Sequence, residues 1–339
     1  MIVKSFRYRP EGFFNGINLF KHFQLQQMQI KTIPKYLTQH FSDETCEISY
    51  QWTANTNHIK PVVVILHALT GNSTVSGTNG WWQEIVGKNK TIDTNKYRVL
   101  SIDTLGNGFV TDTHLHIHSV ENITVNDVAK INLWLLDKLQ LTTVHSLIGG
   151  SLGGAIAWEM WREKPDFFQQ LISIGAYPLK DHWIKGITFL QKNLLQENES
   201  GYEQARMWSM LFYRNALGID SKFNQSSQTI ENWLTYHGLS LKERFPRKSY
   251  EIMNHLLGAI GENNNKEQFL KVAEKSPTQI VIISISSDWL FHPQHQIEFS
   301  KEIKKARKNI TYHSLESVHG HDAFLIEFEK LDKILAPYL

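Results

Sequence analysis

The sequence predicts an α/β fold, with a mostly parallel central sheet, helices on both faces and a helical cap inserted late in the chain. Three observations carry this expectation. Continuous β-branched and aliphatic runs such as PVVVILHA and TQIVIISIS suit strands buried on both faces. Helical patterns separate these runs, which favours parallel strands joined by crossovers. From about residue 177 to residue 276 the strand signals fade, and segments rich in Trp, Met, Phe and Tyr take their place.

Taken in order, CEISYQW alternates and reads as an early antiparallel strand. PVVVILHA, YRVLSID, VHSLIGG, QLISIGA, TQIVIISIS and the start of ITYHSLESVHGHDAFL are the expected sheet strands. TVNDVAKINLWLLDKLQL opens on a Thr/Asn cap signal, and AIAWEMWREK must stop before Pro165. GYEQARMWSMLFYRNALG and KSYEIMNHLLGAIG supply cap helices, and AFLIEFEKLDKILAPYL has the apolar spacing of a closing helix. The expected division is a first core part over 1–176, a cap over 177–276 and a second core part over 277–339.

Composition narrows the function. In 339 residues, 35 Lys+Arg balance 33 Asp+Glu with no basic stripe or acidic tail, which excludes an electrostatic footprint for nucleic acid or an anionic membrane. Small neutral or zwitterionic partners fit better. A lone cysteine, Cys46, rules out an internal disulfide framework and a cysteine-cluster metal site, suits a reducing cytosol and reads as a packing residue. The opening MIVKSFRYRPEGFF lacks a leader-like apolar stretch and no later run is long enough to span a bilayer, so a cytoplasmic chain is expected. The ten Trp, eleven Tyr and eighteen Phe are read mainly as core and cap packing.

The chemistry points to VHSLIGGSLGGAIAW, where four glycines surround Ser151 between a strand and a helix. Gly149-Gly150-Ser151-Leu152-Gly153 fits GxSxG, an elbow that lifts the serine hydroxyl off the strand end. Glycine suits 149 and 153 because strand and helix converge there. The helix N-terminus behind the serine favours negative charge. A dinucleotide-binding turn fails on spacing, since GxGxxG needs a glycine where Ser151 or Leu152 stands. A plain tight turn remains the structural alternative.

Such an elbow requires an acid and then a histidine downstream, each at the carboxyl end of a strand. TQIVIISISSDWLF runs straight into Asp288, at the sheet edge where ligands bind in open α/β folds. The loop after ITYHSL offers His319 and His321. In this reading His321 takes the Ser151 proton as the hydroxyl attacks an acyl carbon, and Asp288 fixes the imidazole. The oxyanion then needs two donors: the Leu152 N–H, and a backbone N–H around Leu69 in PVVVILHALTGNS, with Thr70 and Gly71 shaping the turn. Taken singly, each residue has a bland role as a helix cap or a solvated loop residue. Their order and placement favour the triad.

HALTG, GWW with VG and IDT following, IGGSLGG, ARM with a tyrosine shortly after, SDWLF and GHDAFL together resemble homoserine O-acyltransferases of the α/β-hydrolase fold. The resemblance runs from roughly residue 45 to the C-terminus. It implies transfer of an acyl group, expected to be acetyl, from acyl-CoA (acetyl-CoA or succinyl-CoA) to Ser151 and then to the side-chain hydroxyl of homoserine, in methionine biosynthesis. No bound cofactor is implied. The same resemblance favours His321 over His319, makes Arg206 a clamp for the acceptor carboxylate and Asp322 a partner for its ammonium, and puts Tyr213 nearby. It also implies a homodimer through the cap. Three departures stand out: NGFVTDTHLHIHS replaces a Gly/Ser/Thr/Pro-rich turn near the acyl pocket, Leu152 replaces the usual methionine, a volume-conserving change, and the cap is short and diverged around ERFPRKSYEIM.

Competing readings remain: an esterase or thioesterase with the same triad, serine as the acceptor, and a degenerate fold kept for binding. A zinc site is a further alternative, because His114, His116 and His118 would share one side of an extended segment.

Overall fold

A computed structural model describes residues 28–38, 45–53, 60–224, 226–307 and 309–339. The opening stretch read above as lacking a leader lies outside these residues. The eight strands of the main sheet are β1 (Gln29–Thr32), β2 (Glu47–Thr53), β3 (Val62–Leu66), β4 (Arg98–Ile102), β5 (Val144–Gly150), β6 (Phe168–Ile174), β7 (Gln279–Ile285) and β8 (Ile310–Leu315). Their spatial order is 1-2-4-3-5-6-7-8. β2 runs antiparallel to β1 and to β4, and every other pair is parallel. The alternating CEISYQW segment is thus the antiparallel strand expected of it. β1 was not anticipated: its four residues are all exposed, so no buried face marks it in the sequence.

Continuous apolar strands feed two cores at once. Val62, Val64 and Leu66 of β3 join one cluster, whereas Val63 and Ile65 join the other; Ile280 and Ile282 of β7 oppose Val281, Ile283 and Ile285 in the same way. This is the side-chain alternation of a strand covered on both faces. On the first face lie α1 (Val125–Lys138), α2 (Leu152–Glu163) and, after β7, the helix Pro293–Ala306. The second face is covered by the loop carrying Trp82, Ile85 and Ile92 and by the closing helix Phe328–Leu335. α1 starts where a capping box operates: Thr124 accepts from the Asp127 N–H while Asp127 accepts from the Thr124 N–H.

Between β6 and β7 the described chain is helical: α3 (His182–Glu197), α4 (Gly201–Tyr213), α5 (Ala216–Phe223), α6 (Ile230–Arg244), α7 (Arg247–Gly258) and α8 (Lys266–Lys275). The last of these returns to the core, with Phe269 edge-on to both Trp158 and Phe299. GYEQARMWSMLFYRNALG does not form one helix. It breaks at Arg214, and Asn215 caps α5 by accepting from the Leu217 N–H. The expected single closing helix is also interrupted: Gly320–Leu325 forms a 3-10 turn, and the α-helix begins only at Phe328. After β7 come the helices α9 (Pro293–Ala306) and α10 (Phe328–Leu335), and the short helices Lys35–Thr38 and Thr113–His116 precede α1.

The extended His114/His116/His118 segment behind the zinc alternative is overturned. Thr113–His116 is a turn of helix in which His114 is buried, so the three rings do not share one side of a strand. Among the described residues no three His, Cys, Asp or Glu side chains are grouped to hold a metal ion.

Candidate active site

Ser151 sits between the end of β5 and the first residue of α2 with φ 55° and ψ −128°, a strained conformation for a residue with a Cβ. Its N–H donates to the Ile174 carbonyl at 2.9 Å, and its carbonyl accepts from Gly154 and Ala155, so the strain is held from both sides. The glycines are required by contact. A Cβ on Gly149 would lie 2.2 Å from the Gly153 carbonyl oxygen, and one on Gly153 would lie 2.4 Å from that of Leu66. On Gly150 a Cβ would meet the Phe324 ring at 2.7 Å. Strand, helix and neighbouring loop therefore converge on the serine more closely than side chains permit.

Asp288 follows β7, and His321 lies in the 3-10 turn after β8. Nδ1 of His321 is 2.7 Å from Oδ2 of Asp288, and the other carboxylate oxygen accepts from the Leu290 and Phe291 N–H groups at 2.8 and 2.9 Å. Ser151, Asp288 and His321 are 3%, 1% and 3% exposed. Burial depresses the imidazole pKa, but the Asp288 charge, its hydrogen bond and the Asp322 charge outweigh that effect, so the net shift is upward. The ring stacks on Phe291 and meets Phe324 edge-on. Its Nε2 is buried without a partner among the described residues. Gly175, which follows the Ile174 that binds Ser151, packs against the same imidazole: a Cβ there would lie 3.4 Å from Cε1. His319, the other candidate, only precedes the turn and is half-buried away from this pair.

Among the described residues neither backbone donor expected for an oxyanion has an acceptor. Leu152 is the first residue of α2, where N–H groups have no intrahelical acceptor. Ala68 to Gly71 form a turn closed by Gly71 N–H to the Ala68 carbonyl at 2.9 Å, and no group among the described residues accepts from Leu69 N–H. That turn lies against the elbow, since Gly153 abuts the Leu66 and His67 carbonyls.

The cap adds charge. The Arg206 guanidinium lies 5.4 Å from the Tyr213 ring centroid, and that ring is 6.0 Å from His321. Among the described residues Arg206 Nε and the Tyr213 hydroxyl are buried atoms with no well-aligned hydrogen-bond partner, and the Tyr250 hydroxyl lies close enough to feel both. Asp322, read as an ammonium partner, carries a contact the sequence did not disclose: Arg214 Nε is 3.1 Å from its Oδ2. Burial foremost, and then the charges of Arg206, Arg214, Lys222 and Arg244, push the imidazole of His237 on α6 down to about 3.

Sequence reasoning missed the packing behind these groups. Asp103 gathers the Ser73 N–H, the Ser73 and Ser49 hydroxyls and the Asn107 amide. GWW supplies Trp82, whose indole N–H donates to the Phe324 carbonyl at 3.0 Å and so ties the second core to the His321 turn. The only sequence signal for either was membership of the quoted motifs.

Residues 61–325 match the alpha/beta hydrolase fold family. The chain belongs to the α/β-hydrolase family. Among curated relatives, this α/β-hydrolase is 28% identical to a homoserine O-acetyltransferase of Methanosphaera stadtmanae, over 87% of this chain and 69% of that one. It is 26% identical to a homoserine O-acetyltransferase of Chloroherpeton thalassium, over 95% and 92% of the two chains. Among solved structures, homoserine O-acetyltransferase from Bacillus anthracis superposes with a TM-score of 0.77 at 15% identity, covering 92% of this chain and 97% of that one. Esterase E22 superposes with a TM-score of 0.79 at 16% identity, covering 92% and 99%.

Proposed function

We propose that this α/β-hydrolase is an acyltransferase that carries an acyl group, acetyl in the first instance, from acyl-CoA through Ser151 to the side-chain hydroxyl of homoserine. The observation that carries this is the buried Asp288–His321 pair, whose imidazole lies 6.0 Å from the Tyr213 ring, which in turn carries the Arg206 guanidinium at 5.4 Å. A triad alone serves hydrolysis equally well. A half-buried guanidinium that pairs with no carboxylate among the described residues suits an acceptor that brings its own, as an amino acid does.

In the first half-reaction His321 Nε2 takes the Ser151 proton while Oγ attacks the thioester carbonyl. The oxyanion is held by the Leu69 and Leu152 N–H groups, the C–S bond breaks, and the CoA thiolate leaves with the proton from His321. In the second, the homoserine hydroxyl gives its proton to the same nitrogen and attacks the acyl-serine. Collapse of that intermediate returns the proton to Ser151 Oγ. Arg206 holds the acceptor carboxylate, and Asp322 receives its ammonium with the lone pairs that Arg214 leaves free. The relatives' shared name supports homoserine as that acceptor.

The test follows CoA release from acetyl-CoA with and without homoserine. Faster release with homoserine, accompanied by O-acetylhomoserine, is the expected result. Equal rates with acetate as product would make the chain a thioesterase.

A further inference from the structure

The turn bearing Leu69 is gripped from the cap by a residue that the mechanism above does not use. Arg244, at the end of α6, donates from Nη1 to the Thr70 carbonyl at 2.9 Å and from Nη2 to the Thr70 hydroxyl at 3.4 Å. The contact joins residues 174 apart in sequence. Among the described residues no carboxylate pairs with this guanidinium, so its charge is spent on a neutral peptide beside the oxyanion site.

The peptide it grips is the first unit of a chain. The Thr70 carbonyl and the Gly71 N–H belong to one planar amide and point in opposite directions. Gly71 N–H donates to the Ala68 carbonyl at 2.9 Å, and that carbonyl shares its amide with the Leu69 N–H. The Ala68 carbonyl also receives Nδ1–H of His67 at 2.7 Å. Nδ1 carries the proton because Nε2 accepts from the Thr104 N–H at 2.9 Å. A fixed positive charge thus stands at the head of two amides aligned in series, and the free end of the series is Leu69 N–H. Hydrogen bonds linked in this way polarise one another; here the Arg244 end of the series is exposed and the Leu69 end is buried.

We propose that Arg244 is a positioning residue for acyl transfer: by holding the Thr70 carbonyl it orients and polarises the Gly71 and Leu69 amides in turn, so that cap placement sets the strength of the oxyanion hole. The inference rests on the Ser151 acyl-enzyme reading. It also explains why the cap and the oxyanion turn, which belong to different parts of the fold, are joined by an arginine. A lysine could supply the charge, but only the planar fork reaches both oxygens of Thr70.

The test compares the wild type with Arg244→Ala, Arg244→Gln and Arg244→Lys. Pre-steady-state acylation by acetyl-CoA, KM for donor and acceptor, and the infrared carbonyl stretch of the acyl-enzyme formed from carbon-13-labelled acetyl-CoA are measured on each. Loss of a whole oxyanion donor costs roughly 100- to 1000-fold, so weakening one through two amides should slow acylation by about 10- to 100-fold. Both KM values should stay within about threefold, with Arg244→Lys intermediate in rate and the carbonyl band of Arg244→Gln shifted to higher wavenumber, as for a less polarised ester. Should Arg244→Ala fail to fold, the Lys and Gln variants carry the comparison. A wild type that acylates on Ser151 beside an Arg244→Gln enzyme with unchanged rate, or with a slowed rate and an unshifted band, would overturn the proposal. Absence of any acyl group on wild-type Ser151 would overturn the parent reading and this one together, and is told apart by the wild-type arm alone.

Discussion

Replacing Gly153 by alanine places a methyl carbon 2.4 Å from the Leu66 carbonyl oxygen and 2.5 Å from that of His67. Ordinary contact begins near 3.4 Å, so one partner must retreat by about 1 Å. Neither obstacle is a flexible side chain: both are backbone oxygens, one at the end of a central strand. The retreat therefore moves either the start of α2, which carries Leu152 N–H, or the segment leading to Leu69 N–H. In both cases the two oxyanion donors separate. A displacement of this size at a reacting centre costs about 100-fold in rate, and overpacking of this kind costs about 1–3 kcal/mol of stability. For a chain of this length the latter lowers Tm by roughly 2–4 °C. Stopped acylation with acetyl-CoA, followed by intact-protein mass, reads the first quantity, and thermal unfolding reads the second. A Gly153→Ala enzyme that acylates within threefold of wild type would refute the claim that the glycine sets the donor spacing.

Other expectations follow from the same geometry. His321 must be neutral to accept a proton, and its pKa lies above the usual 6.5, so the acylation rate should rise with pH through an inflection above that value. In Asp288→Asn burial is left as the dominant influence; the inflection should move down, and the rate should fall by roughly 1000- to 10,000-fold, which a pH–rate profile checks. The pair stabilises the folded chain below the imidazole's unfolded pKa and loses that contribution as pH rises through the folded value, so Asp288→Asn should narrow the stability gap between mildly acidic and alkaline pH in thermal scans. Both Ser151→Ala and Ser151→Gly should abolish acylation, but with φ at 55° glycine relieves strain that alanine keeps, so the glycine variant should be the more stable by about 1 kcal/mol in denaturant titration. Arg206→Ala should raise the KM for homoserine by at least about 30-fold while leaving acylation by the donor within threefold, as separate half-reaction assays would show.

The strands and the elbow were legible because their signals are local. Apolar runs such as PVVVILHA sit on consecutive residues, and the glycines around Ser151 answer to steric limits within one turn of chain. Chain order located Asp288 and distinguished it from the other acids, but the choice between His319 and His321 needed the resemblance and was read from structure only through the 2.7 Å contact to Asp288. What was not legible depends on contacts between distant segments. After the break at Tyr213 the Arg214 backbone runs against Gly320, where a Cβ would lie 2.5 Å from it. The same proximity lets Arg214 reach Asp322. Thr70 reads as a turn residue, and nothing near it announces an arginine arriving from α6. β1 escaped notice for the opposite reason: an exposed edge strand has no buried face to impose a pattern.

The central claim is that Ser151 becomes an acyl ester. Intact-protein mass spectrometry after mixing with acetyl-CoA in the absence of homoserine, followed by peptide mapping, tests it most directly. The account predicts one added acetyl group on the peptide containing Ser151, discharged when homoserine is supplied and absent from Ser151→Ala. An unmodified serine in an enzyme that still releases CoA in the presence of homoserine would contradict it.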